Sequence, residues 1–205
     1  KPVLMARFGL TDVQADYTLT YLIQNDGAVR VNAKMTLPAT AELPEMGRFG
    51  MRLLLPRAVS NLDYYGRGPH ENYADRNTGA PLGLWHSDAA AELVRGYVRP
   101  QENGYHTDTR YLRLTDDRGT GVEITGLQPL GFSALPYVTE DFDEGSLKRN
   151  RHVSDLVERP FVAVHVDLKQ RGVGGDNTWG AQPHDPFRIF DKQLEYGFVV
   201  RPIGK

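Results

Sequence analysis

Three segments gather the side chains that do chemistry. The first runs Tyr64-Tyr65-Gly66-Arg67-Gly68-Pro69-His70-Glu71-Asn72-Tyr73 and continues to Asp75-Arg76. The second is Tyr97-Val98-Arg99-Pro100-Gln101-Glu102-Asn103-Gly104, and the third is Gly172-Val173-Gly174-Gly175-Asp176-Asn177-Thr178-Trp179-Gly180. Each packs Gly or Pro, a carboxylate, an Asn and an aromatic into a short stretch, more than a plain connection needs. Trp179 carries the sharpest chemistry. A flat indole suits the apolar C–H face of a sugar, and its N–H offers a donor. Gly174, Gly175 and Gly180 would let a loop present that ring. Asp176 and Asn177 are expected to bond nearby backbone N–H groups and fix the loop, with direct sugar contact as their second role. Arg67, Glu71, Asn72, Asp75 and Arg76 form the densest polar cluster. Such a cluster binds a sugar or cation, or holds long loops through Arg–carboxylate pairs. The structural network is the expectation, and the same holds for Glu102 and Asn103.

Other signals are weaker. The six His are scattered, with no His-x-x-x-His pair, so no metal site is expected. His106 or His165 with a Glu would suit acid–base ring opening of a sugar, but a packing or solvent-facing role is expected of both. Asp141, Asp143 and Glu144 offer oxygen ligands at a spacing foreign to an EF-hand and read as a solvated loop. Gly66-Arg67-Gly68-Pro69 lacks the Lys-Ser/Thr ending of a phosphate loop. Trp85 reads as core, and Tyr64 with Tyr65 as a strand-end packing pair.

The elements that must position these loops are strands. Asp16 to Gln24 alternates Tyr17, Leu19, Tyr21 and Ile23 against Thr18 and Thr20, then meets the turn Asn25-Asp26-Gly27. Ala28 to Leu37 alternates again, which makes a hairpin. Gly50 to Leu55, Val59 to Tyr65, Thr109 to Leu114, Gly121 to Thr125, Phe161 to Lys169 and Leu194 to Arg201 read as further strands. The last is expected to close the fold. Alternation puts His165 and Asp167 on the less apolar face of their strand. Pro38 to Pro44 reads as a loop, Ala89 to Leu93 as too short for a helix, and Thr139 to Arg151 as room for a turn or two capped by Thr139. The class is all-β, with two packed antiparallel sheets in one domain spanning residues 1–205. The 205 residues carry 24 basic and 26 acidic side chains and no Cys. That balance gives no field for nucleic acid or an anionic membrane, and the absence of Cys excludes disulfides and thiolate chemistry.

Together YYGRGPHENYADR, YVRPQENGYHTDTR and GVGGDNTWG resemble the C-terminal domain of bacterial β-galactosidases of glycoside hydrolase family 2, in order and spacing. The resemblance runs from about Tyr17 to the end. It implies an antiparallel supersandwich similar to galactose mutarotase folds, truncated on its N-terminal side. It implies a partner, the catalytic barrel domain of the same chain, and β-galactosides such as lactose as substrate. In that family two glutamates, roughly 5 Å apart in a retaining enzyme, belong to the barrel. No catalytic residue is therefore expected here, and the isolated chain should be inactive. Trp179 matches the family's sugar-stacking Trp. The family often uses Mg and Na, bound elsewhere, so no cofactor is expected in this domain. A truncated sheet predicts self-association, or loops that cover its open edges. The compartment, bacterial cytoplasm or periplasm, stays open. Two other functions compete: a stand-alone aldose mutarotase, which needs a His and a carboxylate facing one pocket, and a carbohydrate-binding module, which needs several exposed aromatics.

Overall fold

The computed structural model describes residues 1–41, 45–147, 149–177 and 179–204. Among them are ten strands: β1 (Val3–Leu10), β2 (Ala15–Ile23), β3 (Val29–Thr36), β4 (Arg48–Pro56), β5 (Asn61–Arg67), β6 (Leu82–Asp88), β7 (Tyr105–Thr115), β8 (Gly121–Leu135), β9 (Phe161–Gln170) and β10 (Gln193–Ile203). Every pairing is antiparallel. The main path runs β1-β2-β3-β10-β8-β7-β5-β6, and β9 branches from β8 to carry β4.

The hairpin β2–β3 forms where the alternation and the Asn25-Asp26-Gly27 turn predict it. Gly27 supplies a φ of +81°, which a side chain would resist. The face bearing Val31, Ala33 and Met35 is buried. β10 follows the same logic with Leu194, Tyr196 and Phe198. It lies between β3 and β8, at the middle of the path rather than at its closing edge.

β8 makes two layers out of one hydrogen-bonded path. Its first half, to Gly126, pairs with β10, and Gly131 to Leu135 pairs with β9. Pro129, which has no N–H to give a ladder, stands between the halves. Where β8 leaves β10, the Gln128 side chain stands in for backbone. Its Nε2 donates to Gly197 O at 3.1 Å and its Oε1 accepts from Gly197 N at 3.2 Å. The layers then face each other across one apolar core holding Leu62, Leu112, Ile124, Phe132, Val164 and Phe198. Phe49 of β4 meets Tyr196 of β10 edge-on at 5.6 Å, and the Tyr196 hydroxyl donates to Val166 O of β9 at 2.9 Å. A fully buried Phe such as Phe132 contributes about 2–3 kcal/mol by leaving water.

Several expectations change. Hydrophobic alternation signals neither β1 nor β6, because β1 is exposed along nearly its whole length and β6, a sheet edge, turns Leu82 and Leu84 outward. Tyr64 and Tyr65 point to opposite faces, one buried and one exposed. The helical segment is one turn, α1 (Thr139–Phe142). Its cap is Val138, whose N–H donates to Asp141 Oδ2 at 3.0 Å, so Thr139 is the first residue inside it. Asp141 is buried and paired with Arg159, which takes it out of the solvated loop. Of the predicted loop Pro38 to Pro44, residues 42–44 lie outside the described residues.

Candidate functional site

The first segment leaves β5 and folds over the end of β7. Asn72 fastens it there. Its side-chain amide donates to Arg67 O (3.0 Å) and His70 O (3.1 Å), and its carbonyl accepts from Thr107 N (2.9 Å) and the Thr107 hydroxyl (2.6 Å). Arg67 binds Asp108 through Nε at 2.6 Å and Ala80 O at 2.9 Å. The Trp85 indole N–H donates to Gly66 O at 3.1 Å, and Gly68 and Gly83 lack side chains where that ring packs.

Glu71 joins the first segment to the second. It accepts from Gly104 N (2.9 Å), Arg76 Nη2 (2.9 Å), the Tyr73 hydroxyl (3.2 Å) and the Tyr97 hydroxyl. Burial, then the neighbouring Glu71, pushes the Tyr73 hydroxyl far above its ordinary pKa, so it stays a donor. Asn103 closes the second segment, accepting from Val94 N at 2.7 Å.

Asp75 joins the first segment to the third. Its carboxylate accepts from Gly174 N at 2.8 Å and Val173 N at 3.3 Å. Gly172 must be bare, because a Cβ there would lie 2.5 Å from Asp75 Oδ2. The base of this loop is held by Gly172 N on Phe187 O (2.8 Å) and Arg171 N on Gly47 O (2.9 Å). Arg76, Tyr97, Glu102 and Gly172–Gly174 then share the wall of one cleft of about 410 Å³.

The tip of the third loop carries Trp179, 91% exposed. Its backbone N–H donates to Asn177 Oδ1 at 2.8 Å, and Gly180 follows at φ +89°. Asp176 pairs with His184 at 2.9 Å, and that bond raises the His184 pKa. Thr178 lies outside the described residues. A ring of this size in water, on a loop tied at its base and beside its tip, is a platform without a partner among the described residues.

Comparison with known families decides what these loops belong to. The profile of the family described as β-galactosidase small chain matches residues 3–200. The chain belongs to the β-galactosidase small-chain family. The β-galactosidase of Priestia megaterium is 36% identical over 98% of this chain, and that of Streptococcus thermophilus is 34% identical over 96%. The chain spans only 19% and 18% of those relatives' lengths. A solved structure described as a galactose mutarotase related enzyme from Lactobacillus acidophilus covers 98% of this chain and 67% of its own. It has 9% identity and a TM-score of 0.37, too loose a likeness to add to the strand pairing.

Beneath the loops of this small-chain domain lies a charged layer that its sequence concealed. Arg48 of β4 fans out to four partners: His165 Nδ1 at 2.6 Å, Glu102 Oε1 at 2.8 Å, Gln170 Oε1 at 3.0 Å and Asp167 Oδ2 at 3.1 Å. The Asp167 approach is an ionic contact without hydrogen-bond alignment. Asp167, expected on the less apolar face of its strand, is fully buried there, because β4 and Tyr105 cover it. Burial raises its pKa to about 7 despite Arg48. Burial, then Arg48 and Arg52, lowers His165 to about 3. A neutral His165 with its Nδ1 lone pair toward Arg48 satisfies both observations.

The small-chain domain does bring a His and a Glu together. His106 Nε2 lies 2.6 Å from Glu92 Oε2, and its Nδ1 lies 3.1 Å from both the Tyr64 hydroxyl and Arg67 O. Both side chains are buried, which leaves no opening for a sugar ring at that pair. Its bonds hold the first loop instead. No local pattern marks Arg48, which sits 117 residues from His165. Asp108 was legible only as part of a dense motif.

Proposed function

We propose that this chain is the C-terminal domain of a family 2 β-galactosidase, and that it contributes Trp179 to a sugar subsite completed by a separate catalytic barrel. The observation that carries the reading is the exposed indole on a loop fixed by Asp75 and Asn177. A β-galactoside such as lactose would lay a C–H face on that ring, and the indole N–H would serve a hydroxyl. Asp176 and Asn177 shape the loop. Arg67, Glu71, Asn72, Asp75, Arg76, Glu102 and Asn103 hold the loops around it. The two glutamates of hydrolysis lie in the barrel, which is the domain's partner.

Family membership across residues 3–200 and the relatives' names support this reading. One aromatic face and a few hydrogen bonds predict millimolar affinity for the chain alone, about -4 kcal/mol. The test is turnover of nitrophenyl β-galactoside by the chain alone, by the full-length enzyme and by its Trp179→Ala variant. No turnover by the chain alone and a large loss in the variant are expected. Turnover by the chain alone, with contaminating enzyme excluded, would place the catalytic carboxylates here and overturn the reading.

A further inference from the structure

A second cleft, of about 370 Å³, opens where two strands lose their regularity. In β7 the register slips between His106 and Thr109, and Asp108 adopts φ +55°, a left-handed conformation unusual for a side-chain-bearing residue. In β8, Pro129 interrupts the ladder, and Gly131 is bare because a Cβ would lie 1.9 Å from the Tyr105 hydroxyl. Strand irregularities beside a cavity re-aim side chains into it. The cleft's size lies in the range of ligand sites, roughly 300–1,000 Å³.

Its lining selects the ligand's chemistry. The charged wall residues already have counter-ions. Asp108 is held by Arg67 at 2.6 Å, Lys169 by Asp191 at 2.8 Å, and Arg188 by Glu45 at 2.6 Å. An ionic ligand would find no unpaired charge here and would have to break a pair. Neutral hydrogen-bonding capacity remains. Asn77 donates to the Thr107 hydroxyl at 3.2 Å, which leaves its side-chain carbonyl unused among the described residues. Gln170 spends its carbonyl on Arg48, which leaves its NH₂ as a donor. Leu168, Phe187 and Ile189 supply apolar surface. Apolar area with a few neutral donors and acceptors suits a polyhydroxylated ring, whose C–H face packs while its hydroxyls bond.

We propose that this cleft is a binding site for a neutral glycosyl unit, separate from Trp179 and independent of the reading given for it. The sugar lies between the β7 and β8 irregularities, with its hydroxyls served by Asn77 and Gln170. The test is titration of the ¹⁵N-labelled 205-residue chain with methyl β-D-galactoside and methyl β-D-glucoside, and with galacturonate as the anionic counterpart. Saturable shifts at the Thr107, Asp108 and Gly131 amides are expected with one or both neutral glycosides. They should change little between about 0.02 and 0.3 M salt, since no charge is being matched. Ala74→Phe, an exposed wall position, should fill the cleft and weaken those shifts at least about tenfold. Ala74→Leu serves if the larger ring disturbs amides elsewhere. Trp179→Ala should leave the cleft amides responsive. Shifts confined to the Trp179 indole would overturn the proposal and leave the Trp179 reading standing. So would cleft shifts that survive both Ala74 variants, or a stronger, salt-sensitive response to galacturonate.

Discussion

Asp75 and Gly174 stand 99 residues apart in the chain and are joined by a 2.8 Å hydrogen bond from the glycine N–H to the carboxylate. With Val173 N on the other oxygen, one side chain ties the third loop to the first. Bonds to a charged acceptor contribute more than neutral ones, and partial exposure reduces the sum. Asp75→Ala is expected to lower unfolding stability by about 1–2 kcal/mol. Amide exchange at Val173 and Gly174 should speed up well beyond the global change. If exchange there rises only with global unfolding, the tie does not hold the loop.

Glu71 collects four donors from two loops, and its side chain is 9% exposed. Glu71→Ala strands the Gly104 N–H with no acceptor and releases Arg76 and Tyr97. A loss of about 3 kcal/mol in a urea melt is expected. Glu71→Gln keeps one acceptor but turns an NH₂ toward donors, so it should recover only part of that loss.

Two buried groups pull stability in opposite directions with pH. His165 is depressed from 6.5 to about 3, so its contribution is present above 6.5 and is lost as pH falls toward 3. Asp167 is raised from 3.8 to about 7, so its contribution is present below 3.8 and is lost as pH rises through 7. Between about pH 4 and 6.5 the two slopes cancel. His165→Gln removes one of them. Relative to the native chain, the variant should lose stability, on the order of 1 kcal/mol per pH unit, as pH rises through that window. Asp167→Asn should show the opposite tilt. Parallel profiles for all three would mean that neither group titrates as described.

Gly50 of β4 faces Asp167 across the β4–β9 bulge. An added Cβ would lie 1.8 Å from its carboxylate oxygen and 2.8 Å from its Cα. The backbone atom cannot swing aside as a long side chain would. Gly50→Ala is expected to cost about 3 kcal/mol or more. Thermal melting of Gly50→Ala beside Gly47→Ala, which meets open space, measures the difference.

Strand alternation was the readable part of the fold. β3 and the first half of β10 declare themselves because one face is buried and the other is not; β2 sets its Tyr17, Leu19 and Tyr21 against the core, and the apolar Val162, Val164 and Val166 mark β9 although both of its faces are covered. β1 and β6 do not declare themselves, since β1 meets little core and β6, at the other edge, exposes its leucines and turns Gly83 and Trp85 inward. The loop residues were legible as a group, because turn chemistry and Arg–carboxylate density are local properties. Arg48 was not. Its partners come from β9 and the second loop, and nothing near it in the chain marks a charge bound for the interior. The burial of Asp167 was hidden for a related reason: alternation assigns a face but not what later covers it.

β10 sits between β3 and β8, yet it has the highest sequence numbers of any strand. On the ribosome, everything up to Lys192 can emerge while the slot for β10 is still empty. For that interval β3 and β8 each present an open row of N–H and C=O groups. The long-range partners of β10, such as Val200 with Val29, can form only afterwards. Such non-local closure is slow. The two facing edges of β3 and β8 therefore stay open to stray strands until residues 193–203 leave the exit tunnel.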